Sequence, residues 1–203
     1  MNEKIKLIYT TVRIMYKNIE ELLAKKKTVI LDGALGTELQ KRGFETVLPL
    51  WSAKANIDAP ELVRQIHQDY IEAGTDIITT NTFRTTKRAF AKVGDPEHAV
   101  EATQKAVAIA NQAAQLTKRK IFIAGSVTTL EDCYDPNLVP STDVLQQEHS
   151  FQIKLLSSLN IDIIVAETIN SIVEGEVIAK NISQTKFPFF FSFVTDGNGN
   201  LLS

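Results

Sequence analysis

The chain has 203 residues, 44% of them hydrophobic, with 22 basic and 24 acidic residues and a formal net charge of −2. This length supplies one substantial core, so we expect a single domain or most of a larger one. No basic stripe alternates with aromatic residues, which argues against a nucleic-acid partner. The single cysteine excludes an internal disulfide framework and fits a reducing compartment, for which the cytoplasm is the simplest prediction.

The N-terminal residues do not resemble a targeting or membrane segment. Arg13 interrupts the apolar run within residues 1–16, and no small-residue cleavage site follows it. We therefore predict neither a signal peptide nor a membrane span. The pattern of the folded domain begins only near Ile19, so residues 1–18 are predicted to be an N-terminal extension and residues 19–203 the domain.

Short apolar runs recur along the chain and are separated by helical stretches. Because the runs are continuous rather than alternating, they are typical of parallel strands buried on both faces. The first helix between them is predicted to start with Asp58 as its cap and Pro60 in its first turn, and to end at Gly74. Five strands are predicted, at residues 29–32, 77–80, 121–125, 163–167 and 189–194, with further helices beginning at Asp95, Ser141 and Ser171.

This alternation indicates an α/β domain, either a doubly wound sheet or a (β/α) barrel. Polar residues follow four strands at Asp32, Thr80, Ser126 and Glu167, and functional residues at several strand ends are typical of a barrel mouth. No Gly-x-Gly-x-x-Gly follows the first strand, as a doubly wound nucleotide-binding fold would require. A complete barrel has eight strands, so five candidates predict an incomplete (β/α)8 TIM barrel with about five parallel strands.

Three segments carry candidate binding residues. The Asp32 carboxylate could accept hydrogen bonds from a substrate ammonium and the Gly33 amide could donate to a carboxylate, although Asp-Gly is also an ordinary turn. The block at residues 79–83 offers short polar donors, or is simply a threonine-rich strand edge. Glu167 ends a buried strand, where a carboxylate needs either a cationic ligand or a salt bridge to a neighbouring lysine or arginine.

The histidines and the cysteine do not predict a metal site. His67, His98 and His149 all fall in predicted helices, away from the strand ends. Cys133 follows the third strand without a second cysteine or a nearby histidine, whereas a zinc site needs about four ligands. No metal ligand is therefore assigned in this chain.

Several separate motifs resemble the homocysteine S-methyltransferase family, in its order and spacing. The resemblance covers the chain from about Ile19 to its end. The motifs are Ile-Leu-Asp-Gly-Ala-Leu-Gly-Thr at 30–37, Leu-Trp-Ser at 50–52, the stretch 60–74, Ile-Thr-Thr-Asn-Thr-Phe at 78–83, Ala-Gly-Ser-Val at 124–127 and Ala-Glu-Thr at 166–168.

The resemblance implies a (β/α)8 barrel that transfers a methyl group to the sulfur of homocysteine, giving methionine. It implies that Asp32 and Glu167 hold the substrate ammonium and that the Gly33 amide and Thr80 hold its carboxylate. Trp51 would help to line the pocket, and so would Asn81. The methyl donor implied by similarity to the stand-alone bacterial enzymes is S-methylmethionine, with methyltetrahydrofolate or betaine as alternatives.

Members of this family bind zinc through cysteines in a Gly-x-Asn-Cys and a Gly-Gly-Cys-Cys motif on later strands, and neither motif occurs here. The family's Gly-Pro after the third-strand Gly-Ser-Val is replaced by Thr128-Thr129. A thiol is mostly protonated at neutral pH and zinc deprotonates it, so this chain alone is expected to bind homocysteine without activating it. The alternative to a truncated methyltransferase is a non-catalytic amino-acid-binding fragment, or one half of a split enzyme with a complementing C-terminal chain.

Overall fold

A computed structural model describes residues 18–202 of the chain. Apart from Asn18, the predicted extension 1–18 lies outside the described residues. Asn18 caps the first helix, α1 (Ile19–Lys25), where its side chain accepts a hydrogen bond from the Glu21 N–H at 2.9 Å. The predicted start of the domain pattern at Ile19 therefore coincides with the start of α1.

The sheet has four parallel strands in sequence order. They are β1 (Ile77–Thr79), β2 (Phe122–Val127), β3 (Ile163–Ile169) and β4 (Phe189–Phe193), and each pairs with the next. Parallel neighbours joined in chain order through helices are the arrangement of a (β/α) barrel wall. The predicted fold class, a partial barrel of parallel strands, is confirmed for these four strands.

The predicted strand at residues 29–32 is reduced to one bridge, between Leu31 and Ile77. The Asp32 N–H donates to the Ile77 carbonyl at 3.1 Å and the Asp76 N–H donates to the Ile30 carbonyl at 2.8 Å. The chain then leaves the sheet edge at Gly33 and enters helix α2 (Leu35–Lys41). The described residues therefore form a four-stranded sheet with a single parallel bridge at its first edge rather than a five-stranded sheet.

Helices cover the outer face of the sheet and the connections. After α2 (Leu35–Lys41) come α3 (Ala55–Asp58), α4 (Pro60–Ala73), α5 (Lys87–Ala91), α6 (His98–Gln115), α7 (Thr142–Ser157) and α8 (Ile172–Ile182). Ser141 and Ser171 are the N-cap residues of α7 and α8, and Gly74 ends α4 in the left-handed conformation at φ 114°, as predicted.

Two predicted helix starts are wrong. Asp58 does not cap α4, because it is the last residue of α3 and Ala59 takes the cap position. Asp95 does not begin α6, because residues 95–97 form a turn in which the His98 N–H donates to the Asp95 carbonyl at 3.3 Å. In the structure the N-cap residues are Ala59, one position after Asp58, and Glu97, two positions after Asp95.

The two faces of the sheet are filled differently. The outer face packs on the helices through residues such as Ile78, Ile123 and Ile164. On the inner face, Ile19 and Leu22 of α1 cover the amino ends of the strands. The carboxyl ends of the strands are thus left as the accessible end of the barrel interior. No helix within residues 18–202 is long and apolar enough to cross a membrane.

Candidate active site

A cavity of about 410 Å³ opens at the carboxyl ends of the strands. Its walls come from the segment after the Leu31 bridge, from the turn before α3, from the loop after β1, and from β3 and β4. All six residues predicted to bind substrate line it, namely Asp32, Gly33, Trp51, Thr80, Asn81 and Glu167. The structure therefore places these six residues together, whereas their individual roles stay predictions.

Asp32 is anchored to the end of β1 by two hydrogen bonds. The Thr79 N–H donates to Asp32 Oδ2 at 2.7 Å, and the Thr79 hydroxyl donates to Oδ1 at 2.9 Å. Burial, with a smaller contribution from the Glu167 charge, raises the pKa of Asp32 to about 6 although the Thr79 hydrogen bonds lower it. A carboxyl group destabilised as an anion in this way favours a cationic partner.

Glu167 reaches the same cavity from the irregular end of β3. The pairing of β3 with β4 shifts register between Ala166 and Ile169, and Thr168 between them has φ 56°, a strained value for a β-branched residue. The Ser126 hydroxyl donates to Glu167 Oε1, and burial raises the pKa of the carboxyl. Within residues 18–202 Glu167 forms no ion pair, so the structure does not support the alternative of a structural salt bridge.

Two glycines are required because aromatic side chains approach the backbone closely. A Cβ atom at Gly33 would lie 2.8 Å from the Tyr70 hydroxyl oxygen, and one at Gly36 would lie 2.6 Å from Trp51 Nε1. Trp51 itself has φ 51°, so the turn before α3 holds its backbone in an uncommon conformation. The Asp-Gly pair is therefore part of a packed cavity wall as well as a turn.

Asn81 lines the cavity, but its side chain is already fully occupied. Its Nδ2 donates to the Ser52 carbonyl at 2.8 Å and to Asn56 Oδ1 at 2.9 Å, and its Oδ1 accepts from the Ser52 hydroxyl at 2.6 Å. Asn81 thus fixes the turn that carries Trp51 to the loop after β1. This arrangement makes it a positioning residue for the cavity wall.

The Thr80 hydroxyl is likewise engaged. It accepts from the Ser126 N–H at 3.2 Å and lies 2.9 Å from the Thr82 hydroxyl oxygen. Because the Thr82 hydroxyl donates to the Ser126 carbonyl at 2.7 Å, the proton between the two threonines belongs to Thr80. The Thr80 hydroxyl would donate a hydrogen bond to a substrate carboxylate only by giving up its hydrogen bond to Thr82.

Sequence reasoning did not assign several residues that shape the site. Thr79 and Ser126 hold the two carboxylates, and their positions at strand ends next to Thr80 and Glu167 were the available signal. Ser192 and Phe190 of β4 also line the cavity. No local motif marks these two residues, because only the curvature of the sheet brings β4 to the site.

The residues that the structure describes do not provide the zinc site implied by the resemblance to the homocysteine S-methyltransferase family. Within residues 18–202 no group of three or more histidine, cysteine, aspartate or glutamate side chains could hold a metal ion. Cys133 is a buried free thiol, and His67 is buried in α4, where burial lowers its pKa to about 4. His149 is buried in α7 and pairs with Glu174 at 2.8 Å.

Comparison with known proteins assigns the family. The family model described as homocysteine S-methyltransferase matches residues 29–203. The chain belongs to the homocysteine S-methyltransferase family. Among members of this family, selenocysteine Se-methyltransferase of Brassica oleracea var. italica is 31% identical over 93% of this chain and 62% of its own length. Homocysteine S-methyltransferase YbgG of Bacillus subtilis is 31% identical over 87% of this chain and 61% of its own length.

Solved structures of the homocysteine S-methyltransferase family show the same fold. The metallated form of the homocysteine methyltransferase MmuM from Escherichia coli superimposes with a TM-score of 0.82 at 29% identity, covering 91% of this chain and 69% of that protein. The chain spans about three-fifths of the length of the curated family members it matches, 62% and 61% of the two named above. The fold likeness therefore covers most of this chain and a part of each relative.

Proposed function

We propose that this chain binds homocysteine for methyl transfer to its sulfur, giving methionine, with S-methylmethionine as the donor. One observation supports this most strongly. The cavity at the strand ends is lined by two partly buried carboxylates and by no lysine, arginine or histidine among the described residues. Such a site favours a ligand with a localised positive charge, as the ammonium group of an amino acid has.

The lining residues support one proposed orientation of the substrate. The ammonium group lies between Asp32 and Glu167, whose raised pKa values are lowered again when a cation is bound. The substrate carboxylate accepts a hydrogen bond from the Gly33 amide. It accepts a second one from the Thr80 hydroxyl if that hydroxyl gives up its bond to Thr82. The apolar chain of homocysteine then lies against Trp51 and Phe83, which line the remaining wall.

In the proposed reaction the homocysteine sulfur attacks the methyl carbon of the sulfonium donor. A sulfur–carbon bond forms, the bond between that carbon and the sulfonium sulfur breaks, and its electron pair stays on the departing thioether. The thiol proton must be lost for efficient attack. Asp32 and Glu167 orient the amino acid in this scheme and do not act as general acid and base.

Thiol activation is assigned to residues outside the described site. Since no group of residues within 18–202 fits a metal, we propose that the zinc-binding cysteines of the family are supplied by a complementing C-terminal portion. The same observation favours the second candidate, a non-catalytic amino-acid-binding module. Both candidates share the pocket, and they differ in whether a complementing portion creates activity.

The experiment that separates them is reconstitution. The chain is co-purified with the part of Bacillus subtilis YbgG that follows the region matched here, and methionine formation from homocysteine and S-methylmethionine is measured with zinc present. The proposed methyltransferase gives activity in the complex and none from either part alone. A stable complex without activity would support the binding module instead.

A further inference from the structure

Arg84 presents a charge without an acidic partner among the described residues in a second cavity beside the active site. Its side chain lies in the loop after β1 and is 8% exposed, and its Nε is buried without a hydrogen-bond partner. No acidic group lies within ion-pair distance of it in the part of the chain that the structure describes. Burying a charged group without a counter-charge is costly, so this arrangement indicates a missing anion.

The neighbouring groups do not supply that anion. Glu131 lines the same cavity, but it pairs with Arg88 at 3.1 Å and with Lys92. The Cys133 thiol feels the Arg84 charge, yet burial raises its pKa overall, so the thiol stays neutral at neutral pH. Of the two cations that line this cavity, Lys92 has an acidic partner and Arg84 has none among the described residues.

The cavity itself suits a small zwitterion better than a multiply charged anion. It measures about 360 Å³ and includes apolar walls from Leu48, Pro49 and Leu138. Asp132 stands on its exposed rim and forms no ion pair within residues 18–202. A phosphate-like dianion would be repelled by Asp132, whereas an amino acid offers a carboxylate to Arg84 and an ammonium group to Asp132.

Phe83 is a neighbour of Arg84 and also lines the active-site cavity, here called the homocysteine cavity. The Arg84 guanidinium carbon lies 5.5 Å from the centre of the Phe83 ring, and Phe83 lines the homocysteine cavity. Phe83 is thus a neighbour of both Arg84 and the homocysteine cavity, which places the site of Arg84 beside that cavity.

We propose that Arg84 binds the α-carboxylate of a second amino acid, and that this amino acid is the sulfonium methyl donor. The identification of the ligand as the methyl donor rests on the proposed function; the carboxylate site rests on Arg84 and its cavity. Guanidinium groups bind carboxylates through two parallel hydrogen bonds, which fixes the orientation of the bound amino acid as well as its charge.

The test is calorimetric titration of S-methylmethionine into the full chain and two variants. Arg84→Gln removes the unpaired cation, and Lys92→Gln removes a cation of the same cavity that already has an acidic partner. We expect Arg84→Gln to weaken binding by about tenfold or more and Lys92→Gln to change it by less than about twofold. The decarboxylated counterpart, (3-aminopropyl)dimethylsulfonium, should bind the unchanged chain as weakly as S-methylmethionine binds Arg84→Gln.

Equal binding of S-methylmethionine to the unchanged chain and to Arg84→Gln would overturn the inference, and so would the absence of saturable binding to the unchanged chain. Equal binding of the decarboxylated compound would do the same, since it lacks the group assigned to Arg84. Homocysteine titrated into the same proteins and into Asp32→Asn tests the proposed function separately. If homocysteine binding depends on Asp32 but S-methylmethionine binding does not depend on Arg84, the proposed function is retained and the Arg84 site is rejected.

Discussion

Asp32 and Thr79 are joined by a pair of hydrogen bonds, from the Thr79 N–H at 2.7 Å and from its hydroxyl at 2.9 Å. This pair links the segment at the sheet edge to the end of β1 and holds the carboxylate in the cavity wall. Both bonds stabilise the charged form of Asp32, yet burial outweighs them and raises its pKa to about 6. The anionic form of Asp32 is therefore destabilised in the folded chain, and a bound cation reduces this destabilisation.

The cost of the Asp32 charge predicts a pH dependence of stability. A folded-state pKa of about 6 lies above the usual aspartate value, so the stability contributed by protonated Asp32 is complete at low pH and lost as the pH rises through about 6. Asp32→Asn should become more stable relative to the unchanged chain between pH 4 and pH 7, by on the order of 2 kcal/mol. Urea unfolding at pH 4, 5, 6 and 7 measures this difference.

Asparagine is a suitable replacement because its amide can keep both bonds to Thr79, accepting from the N–H and donating to the hydroxyl oxygen. Glu167→Gln is the companion variant, since burial also raises the pKa of Glu167 and the shift has the same sign. A stability difference that stays constant over this pH range would show that Asp32 is not destabilised as an anion in the folded chain.

The buried pair of Glu174 and His149 predicts a large effect on stability. Glu174 Oε1 lies 2.8 Å from His149 Nε2 and accepts the Leu130 N–H at 2.9 Å, and both side chains are 1% exposed. Glu174→Ala leaves two buried polar groups without a partner and should reduce the free energy of unfolding by about 3 to 5 kcal/mol. The exposed Glu176 on the same helix provides the control, because Glu176→Ala should change little. Similar effects for both variants would argue against a buried pair.

The contact between Gly36 and Trp51 predicts an optical signal. Trp51 is the only tryptophan of the chain, and a Cβ atom at Gly36 would lie 2.6 Å from its Nε1. Gly36→Ala should displace the indole, shift its fluorescence emission and reduce the free energy of unfolding by about 1 to 3 kcal/mol. Gly197→Ala is the matched control, because a Cβ atom there meets nothing within 4 Å. Unchanged emission from Gly36→Ala would contradict the close packing of this wall.

Metal analysis tests the proposal that the zinc-binding cysteines are not supplied by this chain. Cys133 is the only cysteine, and no group of residues within 18–202 could hold a metal ion. The purified chain should therefore contain far less than one zinc per molecule and form no methionine from homocysteine with any of the three donors. One tightly held zinc per chain would refute this, and its loss in Cys133→Ser would identify the ligand.

Much of the fold could be predicted because the strands are marked by local sequence. Continuous apolar runs located β1 to β4 within a few residues, and glycine in the left-handed conformation marked the end of α4. The run at residues 29–32 had the same character and yet forms a single bridge, at Leu31. Strand formation there depends on how long the chain stays beside β1, which an apolar run does not encode.

The site residues were predictable where strand ends and motifs coincide, as at Asp32 and Glu167. Their environment was not, because the partners are distant in sequence: Asn81 bonds Ser52 and Asn56, and Ser126 bonds Glu167. Nothing local distinguishes Arg84, which has no acidic partner among the described residues, from Arg88 four residues later, because the partners of Arg88 come from the loop after β2 and from α7. Pairing of charges across loops is a tertiary property and needs the structure.

Calorimetric titration of homocysteine into the chain shows whether this cavity binds the amino acid. We expect saturable binding that Asp32→Asn and Glu167→Gln each weaken by tens-fold or more, since loss of one partner of a desolvated charge pair commonly costs about 2 to 5 kcal/mol. Cys133→Ser, which alters a buried thiol outside the cavity lining, should leave the affinity unchanged. Binding that is indifferent to both carboxylates, or no binding at all, would contradict the assignment of this cavity to homocysteine.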